Sequence, residues 1–332
     1  MKKSSGLTVH DVARLAGVSS MTVSRALNTP HLLSAQSLKK VRDVIEQTGF
    51  VPNGLASGLR SSKAKLVAAV LPTLTGPVFQ ETIRSLNQAL DAAGYQLMIG
   101  QTGYETIRED ALLDAIVRRR PDGIVLVGLM QSVEGRRQLL AAGIPVVETW
   151  DLTPTPIDML VGFSHEQIGE AVCRYLHAKG YSYPVLLTAD DRRAQRRVEG
   201  FRRAAKALAL PQVPTVVVPA PTTLGSGRRA LAEALDKYPK MDSVFCSSDM
   251  MAMGVIIEAQ ARKIPIPKKL AIVGLGDNDY AENLNPPLTT VRIDGKRIGE
   301  LAASMIVNRP EGRDEASRIV DIGFEIVERD SA

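Results

Sequence analysis

From residue 65 onward, nine short runs of apolar, largely β-branched residues recur, at 65–71, 95–99, 123–127, 145–149, 159–163, 184–187, 215–218, 243–246 and 270–273. Each is too short for a core helix, and each is continuous rather than alternating. Strands of that kind are buried on both faces, as in parallel sheets covered by helices. Between them lie stretches with apolar residues at helical spacing, including 78–93, 106–119, 166–179 and 195–209. So long a region exceeds one comfortable hydrophobic core. The pattern predicts two doubly wound α/β subdomains, with a ligand cleft at the carboxyl ends of their strands.

The first fifty residues follow a different rule. Thr8 is placed to cap a helix in which Val9, Val12, Ala13 and Ala16 recur on one face. Gly17 stands where that helix has to stop. Ser19 caps a second helix whose Val23, Ala26 and Leu27 face the first, and Ser34 caps a third that runs through Val41, Val44 and Ile45 to Gly49. Two short helices joined by a glycine turn are the helix-turn-helix that lays its second helix in the DNA major groove. Ser20, Met21, Thr22, Ser24 and Arg25 then point outward, and Arg25 offers a fork that fits guanine. Ser19, Thr22 and the helix N-termini suit phosphates. The plainer alternative is an ordinary surface helical hairpin with a solvated Arg25.

Charge favours the DNA reading. Residues 1–62 hold eight Lys/Arg against three acids, while the remaining 33 bases and 33 acids cancel. The whole formal excess of +5 therefore sits in the first fifth of the chain. That is the footprint of a DNA-binding headpiece on a neutral body. Between the two runs Phe50-Val-Pro-Asn-Gly-Leu-Ala-Ser-Gly-Leu-Arg60. Asn53 can cap a one- or two-turn helix there, but Gly54 and Gly58 would each cost about 1 kcal/mol relative to alanine. A helix so weak forms conditionally, which makes Leu59 a candidate minor-groove wedge and Arg60 a phosphate or groove contact.

These stretches carry a resemblance. Asp11-Val-Ala-Arg-Leu-Ala-Gly-Val-Ser19, Thr22-Val-Ser-Arg-Ala-Leu-Asn28 and Pro52-Asn-Gly-Leu-Ala-Ser-Gly-Leu-Arg60 are similar to the lactose-repressor (LacI/GalR) family. Val198-Glu-Gly-Phe201, Ser248-Asp-Met-Met-Ala-Met-Gly254 and Pro286-Pro-Leu-Thr-Thr290 extend the likeness through the body. The resemblance implies a dimeric, ligand-controlled repressor on a palindromic operator, with the hinge leucine inserted at its centre and Asn28 on the DNA side. It implies a headpiece over 1–51, a hinge helix and linker over 52–64, and a periplasmic-binding-protein-like body over 65–332. Within that body it implies one subdomain of about 65–162 and 291–318, and another of about 163–290 and 319–332.

Strand ends and their following turns supply the candidate effector residues: Thr73, Phe79, Glu148, Trp150, Ser164, His165, Arg193, Arg197, Ser248, Asp249 and Asp277. Arg197 matches the position where the family places its main ligand-holding arginine, with Arg193 a weaker candidate; by composition alone both belong to the charged run 192–197. Asp249 is equally a helix cap, and Trp150 equally the edge of a core. Many relatives have an acid at Gly276 and an asparagine at Ser248. Loss of the acid removes a hydroxyl acceptor and also a charge that repels anions. With Glu148-Thr-Trp-Asp151 and Val161-Gly-Phe-Ser164, the pattern is similar to the gluconate-repressor branch, which implies a sugar acid, gluconate or a keto-gluconate.

Catalysis is not expected. Gly274-Leu-Gly276 lacks a third glycine and runs into Asp277-Asn-Asp279, the wrong charge for phosphates. No phosphate-loop Gly-Lys-Ser, metal-type histidine pair or nucleophile elbow is present, so no cofactor or metal is expected. Cys173 and Cys246 fall in a helix and a strand, as buried thiols do. With no hydrophobic leader or spanning segment, the expected compartment is the cytoplasm, with the protein nucleoid-associated. One alternative is a regulator of the same family that responds to a neutral sugar or uses its ligand as co-repressor; the alternative from another class is a sugar-binding sensor that does not touch DNA.

Overall fold

The computed structural model describes residues 7–50, 64–74, 76–103, 106–309 and 318–332. The chain separates into two compact units, 1–64 and 65–332. In the first, α1 (Val9–Ala16), α2 (Ser20–Asn28) and α3 (Ala35–Thr48) enclose a small core of Val12, Ala13, Ala16, Val23, Val41 and Phe50. The local chemistry is as expected. Thr8 and Asp11 form a capping box on α1, Ser19 caps α2, Ser34 caps α3, and Gly17 and Gly49 end α1 and α3 with left-handed backbone. Asn53, Leu59 and Arg60 lie outside the described residues.

The second unit contains two six-stranded sheets. The first is built from β1 (Leu66–Leu71), β2 (Gln96–Gln101), β3 (Gly123–Val127), β4 (Val146–Thr149), β5 (Met159–Gly162) and β11 (Ile319–Asp321), in the order β11-β5-β4-β3-β1-β2, all parallel. The second contains β6 (Pro184–Ala189), β7 (Thr215–Val218), β8 (Ser243–Cys246), β9 (Ala271–Gly276), β10 (Thr289–Arg292) and β12 (Glu325–Val327). Its order is β12-β10-β9-β8-β6-β7, with only β12 antiparallel. Side chains alternate between cores as the pleat requires. Val67, Ala69 and Leu71 enter a central cluster shared by both subdomains, whereas Ala68 and Val70 enter an outer one. On β9, Ala271, Val273 and Leu275 face the centre, and Ile272 the outside.

Helices cover both faces: α4 (Gln80–Ala92), α5 (Thr106–Val117), α6 (Val133–Ala142) and α11 (Gly295–Val307) on the first sheet, and α7 (His165–Ala178), α8 (Arg192–Ala207), α9 (Leu224–Lys237) and α10 (Asp249–Ala261) on the second. Glycines bring some pairs to backbone contact. A Cβ on Gly169 would lie 2.0 Å from the Arg197 carbonyl oxygen, and one on Gly200 would lie 2.0 Å from that of Glu166. That closeness of α7 and α8 accounts for the glycine in Val198-Glu-Gly-Phe201.

β10 reaches Arg292 in the second sheet, close to the expected crossing near 290. β11, which ends at Asp321, pairs with β5 of the first sheet, close to the expected crossing near 319. Both segments are short, and β11 is not deeply buried, so neither carries the apolar run that marks the other strands.

Candidate functional site

In the N-terminal unit, several outward groups prove to be engaged locally. The Thr8 hydroxyl donates to Asp11 Oδ2 at 2.7 Å and receives the Asp11 N–H at 3.3 Å, so its first duty is the cap. Ser19 Oγ receives the Thr22 N–H at 3.1 Å and lies 2.9 Å from the Thr22 hydroxyl. Ser20 Oγ sits 2.9 Å from His10 Nδ1, a tie between the first and second helices with no counterpart in the sequence reading. Met21 and Arg25 are exposed, and Thr22 and Ser24 half-buried. Asn28 closes α2. The exposed face of α2 is thus Met21 and Arg25, flanked by hydroxyls: a surface that offers a cationic fork and an apolar contact to base edges.

In the second unit, a narrow cavity of about 80 Å3 opens between the carboxyl ends of the two sheets. Thr73, Phe79, Trp150, His165, Arg193, Arg197 and Ser248 line it, seven of the eleven sequence candidates. A wider space of about 570 Å3 continues from it past Asp191 and Arg193 toward Gln131, Asp151 and Asp190. Burial pushes Glu109, which borders that space, up to about 7, with Asp110 adding to the shift.

Two arginines and one carboxylate line the cavity, with Arg193 Nε 3.9 Å from Asp191 Oδ1, which leaves an excess of one positive charge. Asp191 Oδ1 accepts the Ala194 N–H at 3.0 Å and starts α8 three residues earlier than the apolar spacing indicates. Arg193 and Arg197 thereby come one turn apart on a helix whose first turn faces the ligand space. The Arg193 guanidinium lies 5.3 Å from the Phe79 ring centre, a cation–π contact. Arg197 is 6% exposed and donates from Nη1 to His165 Nδ1 at 2.9 Å. A guanidinium has no acceptor, so Nδ1 accepts and Nε2 carries the proton, donating to the Trp150 carbonyl at 3.0 Å. Burial, then the charges of Arg197 and Arg193, hold His165 well below its ordinary value. The imidazole is therefore neutral. The N-termini of α7, α8 and α10 converge here, and each favours negative charge.

Trp150 is the single tryptophan and adopts φ +63°, a conformation that costs a bulky residue. Three bonds hold it: its N–H to the Val161 carbonyl at 3.3 Å, its carbonyl from His165, and its indole Nε1 to Thr82 Oγ1 at 3.0 Å. Phe79 and Phe163 meet it edge to face at 4.9 and 5.7 Å.

Four candidates stand away from the cavity, and each has other work. Glu148 is buried and accepts the Met130 and Ile157 N–H groups at 3.0 and 2.8 Å, pinning two loops. Ser164 caps α7 through the Gln167 N–H. Asp249 is fully buried and accepts from Thr290 Oγ1 at 2.5 Å and from Asn278 N and Nδ2 at 2.9 and 3.1 Å. Asp277 pairs with Arg292 at 2.6 Å and Arg329 at 2.8 Å. Conversely, Asp191, Thr222, Ser247 and Met250 line the cavity without having been singled out. Thr222 follows Pro219-Ala-Pro221, a loop with no apolar or motif signal. Ser247 was readable as the neighbour of Ser248 at a strand end.

Among the described residues no helix is long and apolar enough to cross a membrane. Both cysteines are buried, and burial pushes the Cys173 thiol up to about 11 and Cys246 further.

Comparison with known proteins agrees with both units. Residues 8–53 match the family described as bacterial regulatory proteins, lacI family, and residues 173–332 match a periplasmic binding protein-like domain. The HTH-type transcriptional regulator GntR of Pseudomonas aeruginosa is 32% identical over 98% of this chain and 95% of its own. A LacI-family transcriptional regulator from Silicibacter pomeroyi superposes with a TM-score of 0.91 at 30% identity, over 98% of this chain and 99% of that one. The transcription regulator GntR from Chromobacterium violaceum gives a TM-score of 0.76 at 35% identity, over 80% of this chain and 98% of that one. These relatives are transcriptional regulators rather than enzymes, and this chain belongs to the LacI family of bacterial regulatory proteins.

Proposed function

We propose that this regulator is a homodimeric repressor of sugar-acid metabolism, working in the cytoplasm and released from a palindromic operator when gluconate or a keto-gluconate occupies the cavity. The observation that carries the ligand class is the pair of arginines, Arg193 and buried Arg197, opening onto one narrow space at three helix N-termini. A carboxylate fits the Arg197 fork. Thr222 and Ser248, bonded to each other at 2.7 Å, and Ser247, bonded to Thr188 at 2.8 Å, line the cavity with hydroxyls that a polyol chain would share, and Phe79 and Trp150 offer apolar faces. Arg197 is held by a neutral imidazole, a partner that orients the guanidinium without cancelling its charge.

Two measurements test this reading. Gluconate and 2-keto-gluconate at millimolar concentration are expected to change Trp150 fluorescence and raise the melting temperature, whereas glucose leaves both alone. Arg197→Ala abolishes the response; sugar acids that leave wild-type fluorescence and stability unchanged overturn the ligand class. For DNA, a duplex selected from a randomised palindrome pool is expected to be retarded with steep salt dependence and lost on Arg25→Ala. Binding indifferent to salt, or intact in that variant, overturns the operator reading.

A further inference from the structure

Between the cavity and the first subdomain runs an unbroken series of buried hydrogen bonds. Arg197 on α8 donates to His165 at the start of α7; His165 donates to the Trp150 carbonyl after β4; the Trp150 indole donates to Thr82 on α4. The distances are 2.9, 3.0 and 3.0 Å. All four residues are buried, with Thr82 fully so. The first pair belongs to the second subdomain and the last pair to the first, so the His165–Trp150 bond spans the cleft floor.

Thr82 sits at a tight place. A Cβ on Gly295 of α11 would lie 3.0 Å from Thr82 Oγ1, and one on Gly299 would lie 2.4 Å from the Thr82 carbonyl oxygen. The α4–α11 pair is therefore in close backbone contact where the indole bond arrives, with Thr82 packed against the two glycines of α11. Packed elements of this kind exchange between discrete arrangements rather than deforming smoothly. β1, which precedes α4, starts one residue after Lys65, where the N-terminal unit joins.

We propose that the series Arg197–His165–Trp150–Thr82 couples occupancy of the cavity to the seating of α4 against α11, with His165 and Thr82 as positioning residues that act through Arg197 and Trp150. The inference rests on the cavity being the effector site. A carboxylate drawn to the Arg197 fork competes with His165 Nδ1 for the same donors. His165 then re-aims, the Trp150 peptide with its positive φ follows, and the indole bond to Thr82 lengthens or breaks. An effector alters an equilibrium only through contacts that differ between the two states, and this contact differs.

The test uses the full chain with sodium gluconate as probe. Thr82→Val keeps the shape and removes the indole's acceptor; Thr82→Ser restores it. In Thr82→Val, gluconate affinity and gluconate-free operator affinity are expected within about twofold of wild type, while the gluconate-induced fall in operator affinity shrinks about tenfold. Thr82→Ser is expected to recover that fall. If Thr82→Val does not fold, Thr82→Ala removes the same acceptor with a smaller side chain. Unchanged coupling, or coupling lost only in step with gluconate affinity, overturns the relay. Should gluconate not bind the wild type, the effector reading fails, and the relay is judged without ligand on the lone Trp150 indole N–H resonance. His165→Leu is expected to shift that resonance and His165→Gln, which still accepts and donates, to leave it near wild type; an indole signal unmoved in His165→Leu overturns the relay.

Discussion

A buried histidine that accepts from an arginine has one neutral tautomer available, and protonating it sets a second cation against the first. That makes His165 the residue with the clearest acid signature in the cavity. Its folded-state value is depressed, by burial first and then by Arg197 and Arg193, with Arg196 adding to the effect and the bond to Trp150 opposing it. Below the ordinary imidazole value of 6.5 the unfolded chain takes up a proton that the folded chain does not. Stability from this group is therefore intact above that pH and falls as the pH drops, with a limiting slope of about 1.4 kcal/mol per pH unit. Glu148, Asp151 and Asp249, raised by burial, slope the opposite way, so the informative quantity is a difference. Urea denaturation of wild type and His165→Gln between pH 7.5 and 5 is expected to show the acid loss reduced in the variant. Parallel curves refute the assignment. At this scale the sequence revealed that Arg197 and His165 belong together in a cleft, because strand ends and a family motif mark them. It did not reveal Glu148 or Asp249 as struts, since a carboxylate at a strand end looks the same whether it faces ligand or a neighbouring loop.

Elements are decided by their ends and by what they touch. α8 extends three residues beyond its apolar spacing because Asp191 caps it, and those residues bring Arg192 and Arg193 into the helix. Periodicity cannot see such a start, because the first turn carries charge rather than apolar side chains. The four-residue β10 and three-residue β11 and β12 escape for a related reason: pairing with neighbours already in place defines them, not hydrophobic content. Close helix contact makes the sharpest prediction here. Gly200→Ala forces a methyl against the Glu166 carbonyl oxygen, a backbone atom with no rotamer to yield. Separating α7 from α8 is expected to cost about 3 kcal/mol and to displace His165 from Arg197. Urea midpoints and gluconate calorimetry check both consequences; a variant as stable as wild type would show that the helices are not in contact. Asp249→Ala is expected to cost a similar amount by leaving the buried Thr290 hydroxyl and the half-buried Asn278 N–H groups without their acceptor, and again the urea midpoint reads it.

At the scale of the whole molecule, charge and architecture divide at the same place. The formal excess lies within residues 1–62 and the compact units part at residue 64, so on the proposed reading DNA affinity and ligand sensing are separated by position as well as by fold. Both halves of that division were legible early, because net charge is additive along a sequence and parallel strands announce themselves as apolar runs. The sizes and shapes of the cavities were not, since they depend on how loops close. The division predicts the behaviour of a truncated chain. Among the described residues, both sheets, their eight covering helices and every residue lining the cavity fall within 65–332. That fragment is expected to fold cooperatively and to bind gluconate within about twofold of the full chain, because none of its ligand contacts is removed. It is expected to lose duplex affinity altogether. The full chain, by contrast, should show log affinity for DNA falling linearly with log salt, with a slope set by the phosphates its basic headpieces neutralise. Calorimetry of the fragment and a salt series on the intact protein make the comparison. A fragment that still binds duplex with a comparable salt slope would place the DNA contacts on the neutral body and remove the basis for treating the first fifth of the chain as the output end.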